Sequence, residues 1–399
     1  MDTHRLHVAI NAQLVSFARS SRNAGLSRYT YTLLAGLAAL HGDQRYTAFV
    51  NPAEAPAVAA DPLAAAKELH IVPAGTSTTH PARRVLWEQL ALPSALKRMG
   101  ADVFHSPVNV LPLRLPLPSV VTVHDLAFVH YPQYFRPTRR VYQRVFTRRS
   151  ARHATRVVAV SANTKQDLID RFHVPAERIR VIYPAIADHF RPITDPAERA
   201  AFRARLGLPE RYLLFLGTLE PRKNLPTLVE AYARLRALSP DAPPLIIAGG
   251  KGWYYQTIFD RVRALNLEGS ITFAGYVLPE DQPLWYSCAE LFIYPSVYEG
   301  FGFPVVEALA CGVPTITSDV SSLPEAGGPV AIQVAPTDPD TLAHALHDML
   351  ADPGGRTRAL VEGPRWAQQF SAARMARAYA DLYREALEAA RGNHGKRGR

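Results

Sequence analysis

Glu299 and Glu307 bracket the segment EGFGFPVVE, and two carboxylates set this far apart around glycines and a proline are the pattern in the chain best suited to chemistry. The apolar run before Glu299 predicts a strand. Pro304 opens a helix, because proline has no amide hydrogen to lose in a first helical turn, and Gly312 is placed to close it. Gly300 and Gly302 let the backbone approach a ligand closely, while the amides and positive end of the helix suit sugar hydroxyls or a phosphate. Glu307, one turn inside, is placed to accept hydrogen bonds from ribose hydroxyls, which leaves Glu299 facing a sugar. The competing reading is an exposed loop with two solvated carboxylates, the common fate of glutamate.

A second segment, YLLFLGTLEPRKNLPTLVEAYARL, joins a buried strand to an amphipathic helix through Gly217, Thr218 and a turn carrying Arg222 and Lys223. Two cations at the carboxyl end of a strand, beside a helix N-terminus, form a natural diphosphate site. In a group transfer they would stabilise the charge growing on the departing phosphate. A solvated turn with ordinary surface charges is the alternative. In VVTVHDLAF, His124 and Asp125 directly follow another buried strand, where a histidine could bind a sugar or an acceptor and a carboxylate could orient it. A turn-stabilising aspartate beside a satisfied histidine is the other reading. His105, Ser106 and Asn109 in ADVFHSPVNVLP are assigned to the acceptor side on the same positional grounds. The one DxD triplet, Asp338-Pro339-Asp340, precedes TLAHALHDML and reads as a helix N-cap, so no metal is expected.

These segments resemble the large family of retaining glycosyltransferases numbered four in the sequence classification, in a subgroup similar to bacterial mannosyltransferases and glucosyltransferases of polysaccharide or glycolipid synthesis. The resemblance covers nearly the whole chain and is strongest from about residue 210 to 328. It implies the GT-B fold, two doubly wound Rossmann-like α/β domains facing a central cleft. It also implies that Glu299 contacts the donor sugar, Glu307 binds ribose and Lys223 binds phosphate. Many members carry an arginine where this chain has Thr218; Arg222, as in the subgroup with the TLEPRKN form, is expected to supply that cation. GLSRYTYTLL resembles the N-terminal loop that approaches the donor phosphates, with Gly25 at the close-contact position, although a mere helix-entry glycine explains Gly25 equally well. Tyr276 and Val277, after ITFAG, are expected around the base. The donor set is completed by Gly217, Gly300, Phe301, Gly302, Phe303, Pro304 and Val305. No cofactor is required on this reading, the nucleoside-diphosphate sugar being a co-substrate; GDP-mannose is favoured, followed by UDP-glucose or a related UDP-sugar.

The elements that must position these residues are legible in the apolar periodicity. The chain has 399 residues, more than one core usually organises. Its hydrophobic fraction of 48% and charged fraction of 20% exclude a disordered, fibrous or coiled-coil protein. Short apolar runs at 6–12, 46–50, 69–72, 103–105, 119–123 and 156–160 alternate with helical stretches, and the alternation restarts at 212–216, 245–248, 271–274, 291–294 and 315–317. Hence an acceptor-side domain is expected over 1–190, a linker over 191–209 and a donor-binding domain over 210–370. A helix over 371–390 is expected to pack back toward the first domain, before a disordered basic tail, 391–399. No signal peptide or spanning segment is read in the sequence. Cys288 and Cys311 read as buried free thiols of a cytoplasmic enzyme.

The net charge of +10 is uneven, with 23 Lys/Arg against 12 Asp/Glu up to residue 190 and 22 against 23 beyond it. Eight arginines fall between Arg136 and Arg156. Six of them, Arg136, Arg140, Arg144, Arg148, Arg152 and Arg156, recur every four residues as a stripe on a helix, with Val141, Val145 and Phe146 expected to pack inward. The stripe suits an anionic membrane, hence peripheral attachment at the inner face, or a lipid-linked acceptor; a solvated face is the alternative. The sum of these readings is a hexosyltransferase that binds no nucleic acid. A basic nucleic-acid-binding protein and a phosphorylase of the same architecture are the rival readings.

Overall fold

The computed structural model describes residues 5–17, 25–75 and 80–397, and the chain divides into two compact units, Met1–Ala185 with Phe370–Arg399, and Ile186–Gln369. Each is a parallel sheet covered by helices.

The first unit contains β1 (Leu6–Asn11), β2 (Gln44–Val50), β3 (Leu69–Pro73), β4 (Val103–Ser106), β5 (Ser119–Val123), β6 (Arg156–Ala159) and β7 (Ile179–Val181), in the order β3-β2-β1-β4-β5-β6-β7. Every pairing is parallel. Because helices cover both faces, the strands are continuous apolar runs: Val8, Ile10, Val103, Phe104, Val120 and Val121 are wholly buried. The strand order reverses between β1 and β4. The closing helix, Ala372–Arg397, crosses the helix Gly25–Ala38 at Gly36, where a Cβ would stand 2.8 Å from the Ala372 carbonyl oxygen.

The second unit contains β8 (Leu213–Leu216), β9 (Leu245–Ala248), β10 (Ile271–Gly275), β11 (Leu291–Tyr294), β12 (Thr315–Ser318) and β13 (Ile332–Val334), in the order β10-β9-β8-β11-β12-β13. All of these are parallel too, and the order reverses between β8 and β11. In open sheets of this kind ligands bind beyond the carboxyl ends of the strands at such a reversal. The two doubly wound α/β units are those the periodicity predicts.

Four expectations change. Residues 191–209, expected as a linker carrying a short helix, belong to the second unit, where that helix, Pro196–Leu206, packs through Phe202, edge-on to Trp285 at 5.8 Å. The closing helix runs to Arg397 rather than ending at Ala390, since each of the glycines in its last turns, Gly392 and Gly395, costs a helix only about 1 kcal/mol; residues 398–399 of the expected tail lie outside the described residues. The arginine-rich helix, Pro137–His153, buries Thr147, Ser150 and Ala151. That small-residue face turns Val141 and Val145 outward, 56% and 53% exposed, where inward packing was expected. Finally, β7 and β13, absent from the sequence reading, form one edge of each sheet.

Candidate active site

The loops that follow β8 and β11 flank the reversal of the second sheet, and they bring the two strongest motifs together. After β8, Gly217 and Thr218 lead into a short 3-10 turn, Pro221–Lys223, and then the helix Leu225–Leu238. Asn224 closes the turn in the left-handed region (φ 57°), and its Nδ2 donates to the carbonyls of Pro295 (3.2 Å) and Pro336 (2.6 Å). The Val297 amide donates to the Arg222 carbonyl at 2.9 Å. The cationic turn is thereby stitched to the loop that carries Glu299.

Lys223 and Glu299 are both buried, and Lys223 Nζ lies 2.5 Å from Glu299 Oε1. The Tyr294 hydroxyl accepts from Lys223 Nζ at 2.7 Å and donates to Glu299 Oε1 at 3.1 Å. Arg222 Nη2 donates to Glu220 Oε1 at 2.7 Å, and Glu220 also stands 3.9 Å from Lys223. Burial, the largest single influence, would lower the pKa of the Lys223 ammonium, but Glu299, then Tyr294 and Glu220, together more than offset it and hold the group above the ordinary lysine range. Burial likewise pushes the Glu299 carboxyl up, and Lys223, then Arg222, bring it below its ordinary value. Both groups therefore stay charged at neutral pH. The two cations do not form the bare positive patch that the sequence suggested: each is matched by a carboxylate.

The backbone around Glu299 is held by serines. Ser321, itself at φ 59°, accepts from the Glu299 amide at 3.1 Å and donates to its carbonyl at 2.8 Å; Ser322 donates to the carbonyls of Glu299 and Phe301, each at 2.9 Å. A serine at positive φ is uncommon, and such strain gathers at functional sites. The helix Phe303–Ala310 starts as predicted, with Pro304 in its first turn, and is preceded by Gly302 at φ 111° without a side-chain cap. Glu307 is buried and accepts from the Tyr286 hydroxyl at 3.1 Å. Phe301 and Val305 point into the core, so only their backbone faces outward chemistry; Val277 is similarly buried, whereas Tyr276 is exposed. Gly25 opens its helix, and among the described residues nothing lies within 4 Å of a would-be Cβ, so none of them demands glycine there.

In the first unit the expected acceptor residues separate. His105 and Ser106, expected on the acceptor side, are wholly buried. His105 is bound through Nε2 to Thr122 Oγ1 (2.9 Å) and through Nδ1 to the Tyr383 hydroxyl (2.8 Å), while Ser106 donates to the carbonyls of Val108 and Val110. The closing helix covers this end of β4, a contact that strand position alone does not reveal. Burial pushes the pKa of His105 down to about 3. His124 is half-buried; its Nε2 donates to the Pro107 carbonyl at 2.7 Å, and its amide donates to Asn109 Oδ1 at 3.1 Å. Asp125 caps the following turn, accepting from the Ala127 amide at 3.0 Å.

Asp338 is the N-cap that its sequence suggests, accepting from the amides of Asp340 and Thr341. Among the described residues no cluster of His, Cys, Asp or Glu could hold a metal ion, and no helix is long and apolar enough to cross a membrane. Both cysteines are buried and free. Glu220, Tyr294, Ser321 and Tyr286 escaped the sequence reading. The first stands inside the TLEPRKN motif and the second ends a strand read as purely structural, so both were in view, but their chemistry depends on contacts across the loops.

A pair of Rossmann-like units with these two motifs at the switch point of the second is the architecture of a glycosyltransferase of the GT-B type. "Glycosyl transferases group 1" matches residues 198–364, and "Glycosyltransferase Family 4" matches residues 24–190. The chain belongs to this family, which sets aside the nucleic-acid-binding reading of its basic half. It is 35% identical over 293 residues to O-antigen chain mannosyltransferase B of Escherichia coli, an alignment covering 73% of this chain and 74% of that protein. A serotype-specific mannosyltransferase, WbdA of E. coli, is 30% identical over 202 residues, and the alignment spans 50% of this chain but only 25% of that longer protein. Among solved structures, sucrose-phosphate synthase from Thermosynechococcus elongatus superposes with a TM-score of 0.73 at 24% identity, covering 96% of this chain and all of that one. HepE of Anabaena in complex with UDP and glucose gives 0.70 at 17% identity, covering 95% and 100%. These two likenesses concern the fold.

Proposed function

We propose that the chain transfers a hexose from a nucleoside diphosphate to a hydroxyl of a glycan or glycolipid acceptor with retention of the sugar's configuration, and that GDP-mannose is the preferred donor. The observation that carries the reading is the buried Lys223–Glu299 pair at the β8/β11 reversal, in a chain of this family. The mannosyltransferase relatives support the donor; UDP-glucose or a related UDP-sugar is next, since HepE binds UDP and glucose on the same fold.

In the proposed reaction the acceptor oxygen attacks the anomeric carbon from the face the diphosphate leaves, and its proton passes to a donor phosphate oxygen. No separate protein base is then required. Arg222 and Lys223 stabilise the departing phosphate, and the Glu299 carboxylate offsets the positive charge on the sugar ring in the transition state. Glu307 binds ribose, Tyr276 lies by the base, and His124 serves the acceptor side. Electrostatics of this kind need no metal.

The exposed face of the helix Pro137–His153 combines Arg144, Arg148 and Arg152 with Val141 and Val145, and it suits peripheral contact with an anionic membrane at the cytoplasmic side. A panel of nucleotide sugars scored by thermal stabilisation and slow hydrolysis tests the donor, because a ligand at a hundred times its dissociation constant adds about 2.7 kcal/mol. Glu299→Gln is expected to abolish most transfer from the donor so found; full activity in that variant removes the role given to Glu299.

A further inference from the structure

We propose that Tyr294 is a positioning residue for this transfer: its hydroxyl sets the Lys223 ammonium and the Glu299 carboxylate in one fixed geometry. The inference rests on the reading of Lys223 and Glu299 as the groups that handle phosphate and sugar. It adds a residue that no motif marks.

The three polar groups close a ring of hydrogen bonds. Lys223 Nζ donates to the Tyr294 hydroxyl (2.7 Å) and to Glu299 Oε1 (2.5 Å), and the hydroxyl donates to the same carboxylate oxygen (3.1 Å). Two of these groups sit on flexible side chains. Lysine has a four-carbon stem and glutamate three rotatable bonds, and an ion pair between them alone can slide through many geometries.

Tyrosine has no such freedom here. Its ring is 1% exposed and lies between Phe215 (centroids 5.7 Å apart, planes 11°) and Phe292 (5.9 Å, 20°), a column of aromatics inside the sheet. Gly217 lies alongside, where a Cβ would stand in ordinary contact, 3.5 Å, with Tyr294 Cε2. The Tyr294 carbonyl accepts from Thr317 Oγ1 at 3.0 Å, which fastens the backbone as well. Lys223 Nζ also stands 5.1 Å from the ring centroid, within cation–π range. A rigid strand residue thus aims a single O–H at the junction of two mobile charges, the arrangement that pre-organised sites require.

The hydroxyl also acts on charge. It donates to the carboxylate and accepts from the ammonium, and each bond favours the ionised form of its partner. Phenylalanine at 294 fills the same volume and keeps the column, but it leaves Lys223 and Glu299 with only each other in that ring.

The test compares the full chain with Tyr294→Phe and with Thr317→Val, which loses a buried hydrogen bond to the same residue without touching its hydroxyl. GDP-mannose and UDP-glucose are the donors, and the readouts are donor KM, kcat across pH and the thermal midpoint. In Tyr294→Phe, kcat is expected to fall by about tenfold or more with KM changed less than about twofold, and the acid limb of kcat to move to higher pH as Glu299 loses a donor. Thr317→Val is expected to lose stability and keep both kcat and the pH profile. If wild type turns over a donor and Tyr294→Phe matches its kcat and profile, or if both variants lose activity in step with stability, Tyr294 is structural only. Wild type that acts on neither donor overturns the nucleotide-sugar reading first, before any variant is compared, and the role of Tyr294 falls with it.

Discussion

Arg222 Nη2 lies 2.7 Å from Glu220 Oε1, with side chains only 14% and 5% exposed, so a second buried ion pair stands beside Lys223–Glu299. Two cations and two carboxylates sum to no net charge. Removing one partner of such a pair strands the other, which typically costs about 3–5 kcal/mol, far more than the loss of a surface pair. Glu220→Gln is therefore expected to lower unfolding free energy by about 3 kcal/mol, read from urea denaturation. A loss below about 1 kcal/mol would mean that the pair behaves as though solvated.

His105 gives the first unit a pH dependence. Its folded pKa of about 3 lies below the ordinary histidine value of about 6.5, because a protonated ring would be buried among Thr122, Tyr383 and Tyr379. A group depressed in this way contributes stability that is complete above the unfolded pKa and is lost as pH falls toward the folded one. Between those limits the loss approaches about 1.4 kcal/mol per pH unit. His124 and His7 are shifted in the same direction, both chiefly by burial. Hydrogen exchange in peptides covering β4 and β5 is expected to quicken, after correction for intrinsic rates, as pH drops from about 6.5 to about 5. His105→Gln should flatten part of that slope.

What the sequence could show followed from the range of the interaction involved. Strands such as Leu213–Leu216 and Leu291–Tyr294 declare themselves because every residue is apolar, and the Pro304 and Gly302 helix entry is a local backbone matter. Edge strands Ile179–Val181 and Ile332–Val334 are three residues each, too short for periodicity to register. The site divided in the same way. Glu299, Arg222 and Lys223 stand out by type and spacing, whereas Glu220 and Tyr294 matter only through partners that folding brings together. His105 shows the complementary limit: strand position places it at a sheet's carboxyl end, and a helix from 267 or more residues further along the chain covers it.

The basic helix is expected to act on lipid through charge. Arg144, Arg148 and Arg152 are exposed, and each basic residue near an anionic surface is worth about 1 kcal/mol. Replacing all three by glutamine should weaken co-sedimentation with phosphatidylglycerol vesicles by about a hundredfold and leave donor hydrolysis unchanged. Unaltered sedimentation, or binding by wild type that is indifferent to the anionic lipid fraction, would leave the stripe a solvated face. Val141→Ser with Val145→Ser, which keeps the charge, separates the apolar part of the contact.

Gly249 and Gly250 are neighbours with opposite expectations. Gly249 follows β9 at φ 141°, and a Cβ there would overlap the Gly217 carbonyl oxygen, a backbone atom that cannot swing aside. The same stretch is laced to the cationic turn: the Gly217 amide donates to the Ala248 carbonyl (2.9 Å), the Leu219 amide to the Gly250 carbonyl (2.9 Å) and the Gly252 amide to the Leu219 carbonyl (3.0 Å). Alanine at 249 must therefore push residues 217–219 outward, and Arg222 and Lys223 with them. Gly250 has ordinary φ and nothing within 4 Å of a would-be Cβ. Gly249→Ala is expected to cost about 3 kcal/mol in urea denaturation and to raise donor KM by about tenfold, whereas Gly250→Ala should stay within about 0.5 kcal/mol of wild type. Equal effects from the two substitutions would show that the Gly249–Gly217 approach does not set the position of the turn that carries Arg222 and Lys223.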